Sequence, residues 1–402
     1  MAASTNRAST SADRHLHAWY ELEPKTIGSG AYADVYRATH RLTGRHVAVK
    51  IFHANLGVEE GAEREIRIMR LLRHHPHVIR FYEAAVVVAN VGDQACIVME
   101  LAESGELYKE LYNQVISSQH GLDEAEVRRM FMQLVSGVAY CHRNMVVHHD
   151  LKLENVLLDA GKNVKLADFG FSDFFGPVQK PAADCGSLLY AAPEMCGDRT
   201  DTTRHLGPEV DMWSCGVILF AMLCGYLPFE GPDEPAIKRR IASGRVRIPY
   251  GISDEPRALI SGMLQVCPER RMSIDEVRQH PWLQHSIPRY LAMLPPLHAA
   301  GQIFKENHIC DRSVGQVVRM MVGLDNDNLV EFLRRGVENQ ATVAYYLMLD
   351  SRFDAPTRYM WLLHDPPTET IVSVVRADRA NTESGSIPNE VVSRTATEES
   401  LT

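Results

Sequence analysis

The chain has 402 residues, of which 42 are Lys or Arg and 51 are Asp or Glu, so its net charge is −9 at neutral pH. This length allows two or three domains with a core large enough to position a catalytic site, while the negative charge argues against a protein that binds nucleic acid through general electrostatics. Eight scattered cysteines without C-x-x-C spacing predict a reduced cytoplasmic or nuclear protein.

The N-terminal segment is small and polar. Residues 1–18 are rich in Ser, Thr and Ala and lack the apolar region of a signal peptide, so we predict a disordered tail. The most apolar internal stretch, "GVILFAMLCGYLPF", is too short to span a bilayer, and no membrane insertion is expected.

A strand-rich segment begins at Tyr20. Its first part contains alternating or β-branched residues, broken by the glycine turn "GSGAYADVY" and by the hairpin signal "LTGR". One helix is predicted in "EEGAEREIRIMRLLRHH", and two further strands in "VIRFYEAAVVVA" and "ACIVMELA". The pattern indicates a small lobe of strands with one helix.

Helices dominate after "ESGEL". In "DEAEVRRMFMQLVSGVAYCH" Asp123 is a candidate N-cap, and one apolar face is formed by Val127, Phe131, Leu134 and Val138. "DMWSCGVILFAMLCG" is apolar on nearly all sides, which is typical of a helix in the middle of a lobe.

A proline-marked connector, residues 285–300, separates this region from a helical bundle at 301–353 and a mostly disordered tail at 354–402. The bundle is predicted to contain three short helices, the second of which stops at Gly336. The first helix carries a predicted buried stripe made of Val314, Val317, Val318 and Met321.

The glycine turn and the strand after it could hold phosphates. Gly28 and Gly30 lie between two strands, where missing side chains let backbone N–H groups approach a phosphate, although a glycine pair alone is more often only a turn. A strand follows rather than a helix, which argues against a dinucleotide-binding fold. Lys50 of "VAVK" can hold α- and β-phosphate oxygens if Glu65 on the following helix orients it; alone, each would be an ordinary surface charge.

The stretch "HHDLKLEN" has polar residues at spacings that suit phosphoryl transfer. Asp150 can accept the proton of a substrate hydroxyl, Lys152 can neutralise charge on the moving phosphoryl group, and Asn155 can hold a magnesium ion. "LADFG" then supplies Asp168 as the main metal carboxylate. An Asp-Phe-Gly alone is usually an ordinary turn, but these elements in this order indicate one site.

With these motifs, residues 19–284 resemble a eukaryotic protein kinase domain. The resemblance implies a bilobal α+β fold, with a strand-rich N-lobe and a helical C-lobe, and transfer of the γ-phosphate of Mg-ATP to Ser or Thr of protein substrates. Lys152 and Ser187 imply Ser/Thr specificity, because tyrosine kinases resemble "DLAARN" at the catalytic loop. The resemblance also implies that Glu194 pairs with Arg271 and that Asp211 supports the catalytic loop.

The same resemblance implies a binding site for ATP and Mg²⁺. It assigns the adenine to the hinge backbone at Glu100 and Ala102, the ribose to Glu106, and the metal to Asn155 and Asp168. The residues implied at the nucleotide are Gly28, Gly30, Val35, Ala48, Lys50, Glu100, Ala102, Glu106, Asn155 and Asp168.

"CGSLLYAAPE" and "ENQATVAYYLMLDSRF" further resemble the catalytic α subunit of AMP-activated protein kinase and its fungal and plant sucrose-non-fermenting relatives. In that family a ubiquitin-associated-like bundle follows the kinase domain and restrains it, and the function implied is energy or stress signalling. The family's α subunit continues into a domain that binds β and γ regulatory subunits. This chain ends in a polar tail instead, which argues against such a heterotrimer.

Two positions depart from the family pattern. In relatives the Arg of His-Arg-Asp grips a phosphothreonine in the activation loop, but here these residues are His149 and Ala183. Losing one partner would leave a charge unpaired, whereas losing both does not. We therefore expect a working loop that is ordered without phosphorylation at that position, with Asp184 as a candidate negative charge near His149.

The alternative class is a pseudokinase scaffold that only binds. Pseudokinases typically lose the strand Lys, the loop Asp or the metal Asp, and the sequence keeps all three as Lys50, Asp150 and Asp168. A metal site at His148 and His149 is disfavoured, because adjacent side chains in extended backbone point apart. The resemblance instead implies that His148 packs beside Phe169.

Overall fold

The computed structural model describes residues 16–53, 58–89, 92–175, 187–196, 206–285, 287–293, 312–323 and 326–352. The strands are β1 (Tyr20–Ser29), β2 (Ala33–His40), β3 (His46–Phe52), β4 (Phe81–Ala89), β5 (Gly92–Met99), β6 (Gly105–Glu106), β7 (Val146–Val147), β8 (Val156–Leu158), β9 (Val164–Leu166) and β10 (Asp173–Phe174). The helices are α1 (Leu16–Trp19), α2 (Val58–Leu72), α3 (Leu107–Ser118), α4 (Glu124–Arg143), α5 (Glu209–Cys224), α6 (Glu234–Ser243), α7 (Asp254–Met263), α8 (Ile274–Gln279), α9 (Pro281–Gln284), α10 (Arg289–Ala292), α11 (Arg312–Val322), α12 (Asn326–Arg335) and α13 (Gln340–Arg352).

The N-terminal lobe is an antiparallel sheet of five strands in the order β1-β2-β3-β5-β4, with α2 packed against it. Successive residues of a strand face opposite sides of the sheet, and β3 shows the consequence. Val47 and Val49 are buried in a cluster on the rear face, whereas Ala48 and Lys50 line a cleft on the front face. The alternation in "HVAVK" thus directs the Lys50 ammonium into the cleft.

The C-terminal lobe is helical, as predicted. The predicted apolar face of α4 is at most 1% exposed at Val127, Phe131, Leu134 and Val138. Asp123 caps this helix by accepting hydrogen bonds from the N–H groups of Ala125 and Glu126. Every residue of α5 from Val210 to Leu223 is buried, which confirms its central place. Within the described part of the chain, no helix is long and apolar enough to cross a membrane.

The structured region extends beyond two predicted boundaries. Residues 1–18 were expected to be a disordered tail, but Leu16–Trp19 form a helix whose Leu16 is buried in the rear cluster of the sheet. The connector at 285–300 also contains the short helix α10, and its Leu291 is buried in the main core. In both places one apolar side chain anchors a segment whose surroundings are polar or proline-rich.

The three predicted C-terminal helices are present as α11, α12 and α13 and share a small core of their own. Gly336 ends α12 with a φ of 64°, in the left-handed region that favours glycine. The predicted stripe on α11 is only half right: Val314 and Val318 are buried, but Met321 is 40% exposed. Val322, eight residues after Val314, is partly buried against the same core. The inward face of α11 is therefore rotated from the predicted one. Residues 353–402 lie outside the described part.

Candidate active site

A cleft of about 1270 Å³ lies between the sheet and the helical lobe. Its lining includes every residue that the sequence analysis proposed for catalysis or nucleotide binding: Gly28, Gly30, Val35, Ala48, Lys50, Glu65, Glu100, Ala102, Glu106, Asp150, Lys152, Asn155 and Asp168. The fold therefore brings these residues together, although they are spread over some 140 residues of the chain.

The glycine turn between β1 and β2 forms the roof of the cleft. A Cβ added to Gly28 would come no closer than 3.7 Å to Val35, and one added to Gly30 no closer than 3.7 Å to the Ala33 carbonyl oxygen. These are ordinary van der Waals distances, and neither residue has a positive φ. The fold itself does not require glycine here, so the missing side chains are better explained by a ligand that approaches the backbone.

Lys50 joins two carboxylates in the cleft. Its Nζ lies 2.7 and 2.9 Å from the two carboxylate oxygens of Glu65 and 2.9 Å from Oδ1 of Asp168. Burial by itself would lower the pKa of Lys50, but the two carboxylates raise it above its ordinary value. Burial raises the pKa of Glu65, whereas for Asp168 the effect of burial is outweighed by the Lys50 charge, so that the pKa of Asp168 is lowered. Lys50 therefore stays charged, and Asp168 stays ionised.

Asp150 is held from several sides in the catalytic loop. Its Oδ2 accepts hydrogen bonds from Lys152 Nζ at 2.6 Å and from Asn155 Nδ2 at 3.0 Å, and its Oδ1 accepts one from the Ser187 N–H at 3.1 Å. Asp150 is 3% exposed. These contacts fix the orientation of the carboxylate, which a general base requires.

The catalytic loop rests on Asp211 of α5. Asp211 accepts hydrogen bonds from the backbone N–H groups of His148 and His149 at 2.8 and 3.0 Å and from His142 Nε2 at 2.8 Å. Burial would raise the pKa of Asp211, but the His142 hydrogen bond and the nearby histidines lower it. The support matters because φ is +65° at His149 and +61° at Asp168, a costly conformation for residues other than glycine.

His148 packs beside the Asp-Phe-Gly turn, as the resemblance implied. Its ring centroid lies 5.0 Å from that of Phe169, and its Nε2–H donates to the Ala167 carbonyl at 3.0 Å. Burial lowers the pKa of His148. The contacts are those of a neutral packing residue and not of a metal ligand. The pair between Glu194 and Arg271 is also present, with N–O distances of 2.6 and 2.9 Å.

His149 occupies the position where relatives have arginine, and its ring lies between two backbone carbonyls. Nδ1 is 3.2 Å from the Phe171 oxygen, and Nε2 is 3.3 Å from the Leu206 oxygen. His149 thereby links the turn that follows Asp168 to the segment that enters α5. The other two residues of the sequence argument, Ala183 and Asp184, lie outside the described residues.

Lys165 is a residue of the site that sequence reasoning missed. It lies on β9, is 2% exposed, and its Nζ is 2.6 Å from Oε1 of Glu100 at the hinge. The N–H of Glu100 donates to the Arg80 carbonyl at 2.9 Å, which holds the backbone of the hinge. A buried lysine one residue before "LADFG" was the available signal, since lysine is rarely buried without a partner.

The oxygen atoms at the floor of the cleft suit a hard divalent cation. Asn155 donates its amide N–H to Asp150, which leaves its Oδ1 as an acceptor beside the ionised carboxylate of Asp168. Magnesium in phosphoryl-transfer sites is typically bound by one or two such protein ligands and completed by substrate phosphates and water. Asn155 and Asp168 therefore fit Mg²⁺ bound together with a nucleotide.

A protein kinase domain model matches residues 21–283. The chain is 44% identical over 340 residues to the Serine/threonine protein kinase OSK4 of rice, covering 84% of this chain and 63% of that protein. It is 43% identical over 332 residues to the SNF1-related protein kinase catalytic subunit alpha KIN12 of Arabidopsis thaliana, covering 82% and 63%. Against the Serine/threonine-protein kinase SIK2 of Gallus gallus the identity is 39% over 340 residues, covering 83% and 40%. The chain thus spans less than two thirds of the length of these curated relatives.

Proposed function

The chain belongs to the protein kinase family, in its branch of SNF1- and AMP-activated-type relatives, and we propose that it is an active Ser/Thr protein kinase. The reaction would transfer the γ-phosphate of ATP to a Ser or Thr hydroxyl of a protein substrate. One observation supports this most: Lys50 joins Glu65 to Asp168 in the same cleft that holds Asp150.

Each residue of the site then has a defined role. Lys50, fixed by Glu65, binds the α- and β-phosphates, and Asp150 orients the substrate hydroxyl and accepts its proton. Lys152 lies beside Asp150 and lowers the energy of the negative charge that develops on the transferred group. Mg²⁺ at Asn155 and Asp168 would neutralise phosphate charge.

Transfer of phosphate from ATP to generic Ser and Thr peptides tests this proposal against the pseudokinase alternative. We expect magnesium-dependent labelling of the peptides. ATP binding without any turnover would favour the scaffold. We also propose a role in energy or stress signalling, in line with the name of one relative, the Carbon catabolite-derepressing protein kinase of Secale cereale.

We propose further that the activation loop is ordered without a phosphothreonine. His149 supports this, because it makes two short contacts to backbone carbonyls where relatives would use arginine to grip a phosphate. Ser172, one of two other possible phosphoacceptors, is fully buried and donates to the His148 carbonyl. Ser187 is the partly exposed one.

Protein produced in bacteria is therefore expected to be active as purified, and phosphatase treatment should leave its rate largely unchanged. His149→Arg alone should give no gain, since the new charge has no phosphate to meet. Peptide phosphorylation rates before and after phosphatase, for both proteins, check this. Strong activation by an upstream kinase that maps to a residue between Phe171 and Tyr190 would contradict the proposal, and Ser187 would then be the first candidate.

We also propose that α11, α12 and α13 form a ubiquitin-associated-like bundle that restrains the kinase domain. Val343 and Leu347 of α13 join the buried cluster on the rear face of the sheet. Gln340 donates to Glu83 at 2.8 Å and contacts His40 at 3.0 Å. The bundle is thus attached to the N-lobe by apolar and buried polar contacts.

A second attachment reaches the helix that carries Glu65. Arg70 on α2 forms an ion pair with Glu338, with one N–O distance of 2.7 Å. The pair between Lys50 and Glu65 is nevertheless intact with the bundle in place. A restraint would therefore act on the relative motion of the lobes and not by breaking this ion pair.

Truncation at about residue 290 is expected to raise the specific activity several-fold, because the lobes would move more freely. Removing the bundle also exposes the rear cluster, so Val343→Asp in the full chain is the second variant, designed to undock α13 without deleting it. Steady-state peptide phosphorylation and a thermal melt of each protein provide the measurement. Unchanged specific activity in two folded variants would remove the idea of autoinhibition.

A further inference from the structure

The glycine turn over the cleft is tied to β3 by a histidine that directly follows this strand. The backbone N–H of His53 donates to the Tyr32 carbonyl at 2.9 Å. Its ring Nδ1 lies 3.2 Å from the Ala31 carbonyl oxygen, and its Nε2 lies 3.2 Å from Oδ2 of Asp34. His53 therefore contacts Ala31 and Tyr32 of the turn and Asp34 at the start of β2.

Asp34 completes this linkage from the other side. Its Oδ1 accepts a hydrogen bond from the Ser29 hydroxyl at 2.6 Å, so that the carboxylate on β2 is connected to the last residue of β1. The Ser29 hydrogen bond, followed by the contact with His53, lowers the pKa of Asp34. Asp34 does not line the cleft itself, but its partner Ser29 does.

The ring of His53 is anchored at both of its nitrogens. Both ring nitrogens face acceptors, namely a carbonyl oxygen and a carboxylate oxygen. A neutral imidazole has a single N–H and can satisfy only one of them, whereas an imidazolium donates to both. The charged groups on the neighbouring elements are Asp34 on β2 and Lys50 on β3, and Lys50 is already bound to Glu65 and Asp168.

We propose that His53 and Asp34 are positioning residues for the nucleotide: the ring of His53, held between the Ala31 carbonyl and the Asp34 carboxylate, fixes the position of the glycine turn. The inference rests on the proposed kinase function and adds a specific device to its ATP site. His53 lies in none of the motifs quoted above, whereas Asp34 follows the glycines of the turn "GSGAYADVY". The linkage connects the roof of the cleft to the residue that directly follows the strand of Lys50.

The expected effect is modest, because the side chains of His53 and Asp34 are 33% and 29% exposed. His53→Gln should raise KM for ATP by about two- to five-fold, the range for a partly exposed ion pair, with kcat changed less.

A double-mutant cycle makes the test specific. In Asp34→Asn the carboxylate is gone, so adding His53→Gln to it should raise KM much less than His53→Gln does in the wild type. His46→Gln is the matched control, since His46 is on the same strand but contacts Thr39 away from the turn, and KM should not change. Additive effects or an unchanged KM in His53→Gln would overturn the proposal.

Direct binding of ATP to the full chain separates this inference from the proposed function. A wild type that neither binds ATP nor phosphorylates peptides would overturn both. The positioning role alone would be overturned if the wild type binds ATP and phosphorylates peptides, but His53→Gln and Asp34→Asn bind ATP as tightly as the wild type does.

Discussion

Asp168→Ala is expected to lower kcat by a factor on the order of 10² or more. The substitution removes the ionised carboxylate that fits the metal, and it also removes one of the two carboxylates that bind Lys50. Lys50 keeps its contacts with Glu65, so the fold of the N-lobe should persist. The rates of peptide phosphorylation over a range of magnesium concentrations measure the loss, and they should show a requirement for more Mg²⁺ in any residual activity.

Asp254→Ala is the matched control, because Asp254 is an exposed carboxylate in the first turn of α7, far along the chain from the motifs. Its rate should equal that of the wild type, and both variants should unfold at similar temperatures. Wild-type phosphorylation by Asp168→Ala would refute the assignment of the cleft as a kinase active site.

Much of the active site could be predicted because its motifs are local. Lys50 lies in an alternating strand, and Asp150 and Asn155 lie five residues apart in one loop, so short spacings were enough to place them in the candidate site. The predicted membership of the protein kinase family is confirmed by the match over residues 21–283. Local patterns also predicted the cap of α4 at Asp123 and the burial of α5.

The features that were missed depend on contacts between distant parts of the chain. The pair of Lys165 and Glu100 joins β9 to the residue that follows β5, and no motif connects these residues. Leu16 lies in a polar segment whose composition predicts disorder, and its burial depends on an apolar surface formed by other strands. The linkage of His53 with Asp34 likewise needs the fold of the turn, since neither residue follows a known pattern.

The wrong prediction of burial at Met321 has a different cause. Val317 and Met321 have the helical spacing of a buried face, but so do Val314, Val318 and Val322, and periodicity cannot decide between adjacent faces of one helix. Packing against α13 decides it in favour of the second set.

Asp150→Asn is expected to lower kcat on the order of 10² or more while KM for ATP changes little, because the substitution removes the proton acceptor and leaves the phosphate and metal ligands in place. The geometry makes the variant informative. One carboxylate oxygen of Asp150 faces Lys152 and Asn155, and the other faces the N–H of Ser187. An asparagine must therefore direct its NH₂ group at a donor on one side or the other.

The two opposed donors should also lower the free energy of unfolding. The expected loss is about 1–3 kcal/mol, the cost of a buried polar group that loses its partner. Thermal melts with and without ATP separate this loss from the loss of catalysis, and ATP binding should persist in the folded variant. Asp150→Ala provides a comparison in which no donor opposes another. If Asp150→Asn were folded, bound ATP and kept wild-type kcat, Asp150 could not be the group that accepts the hydroxyl proton, and the proposed roles in the catalytic loop would have to be reassigned.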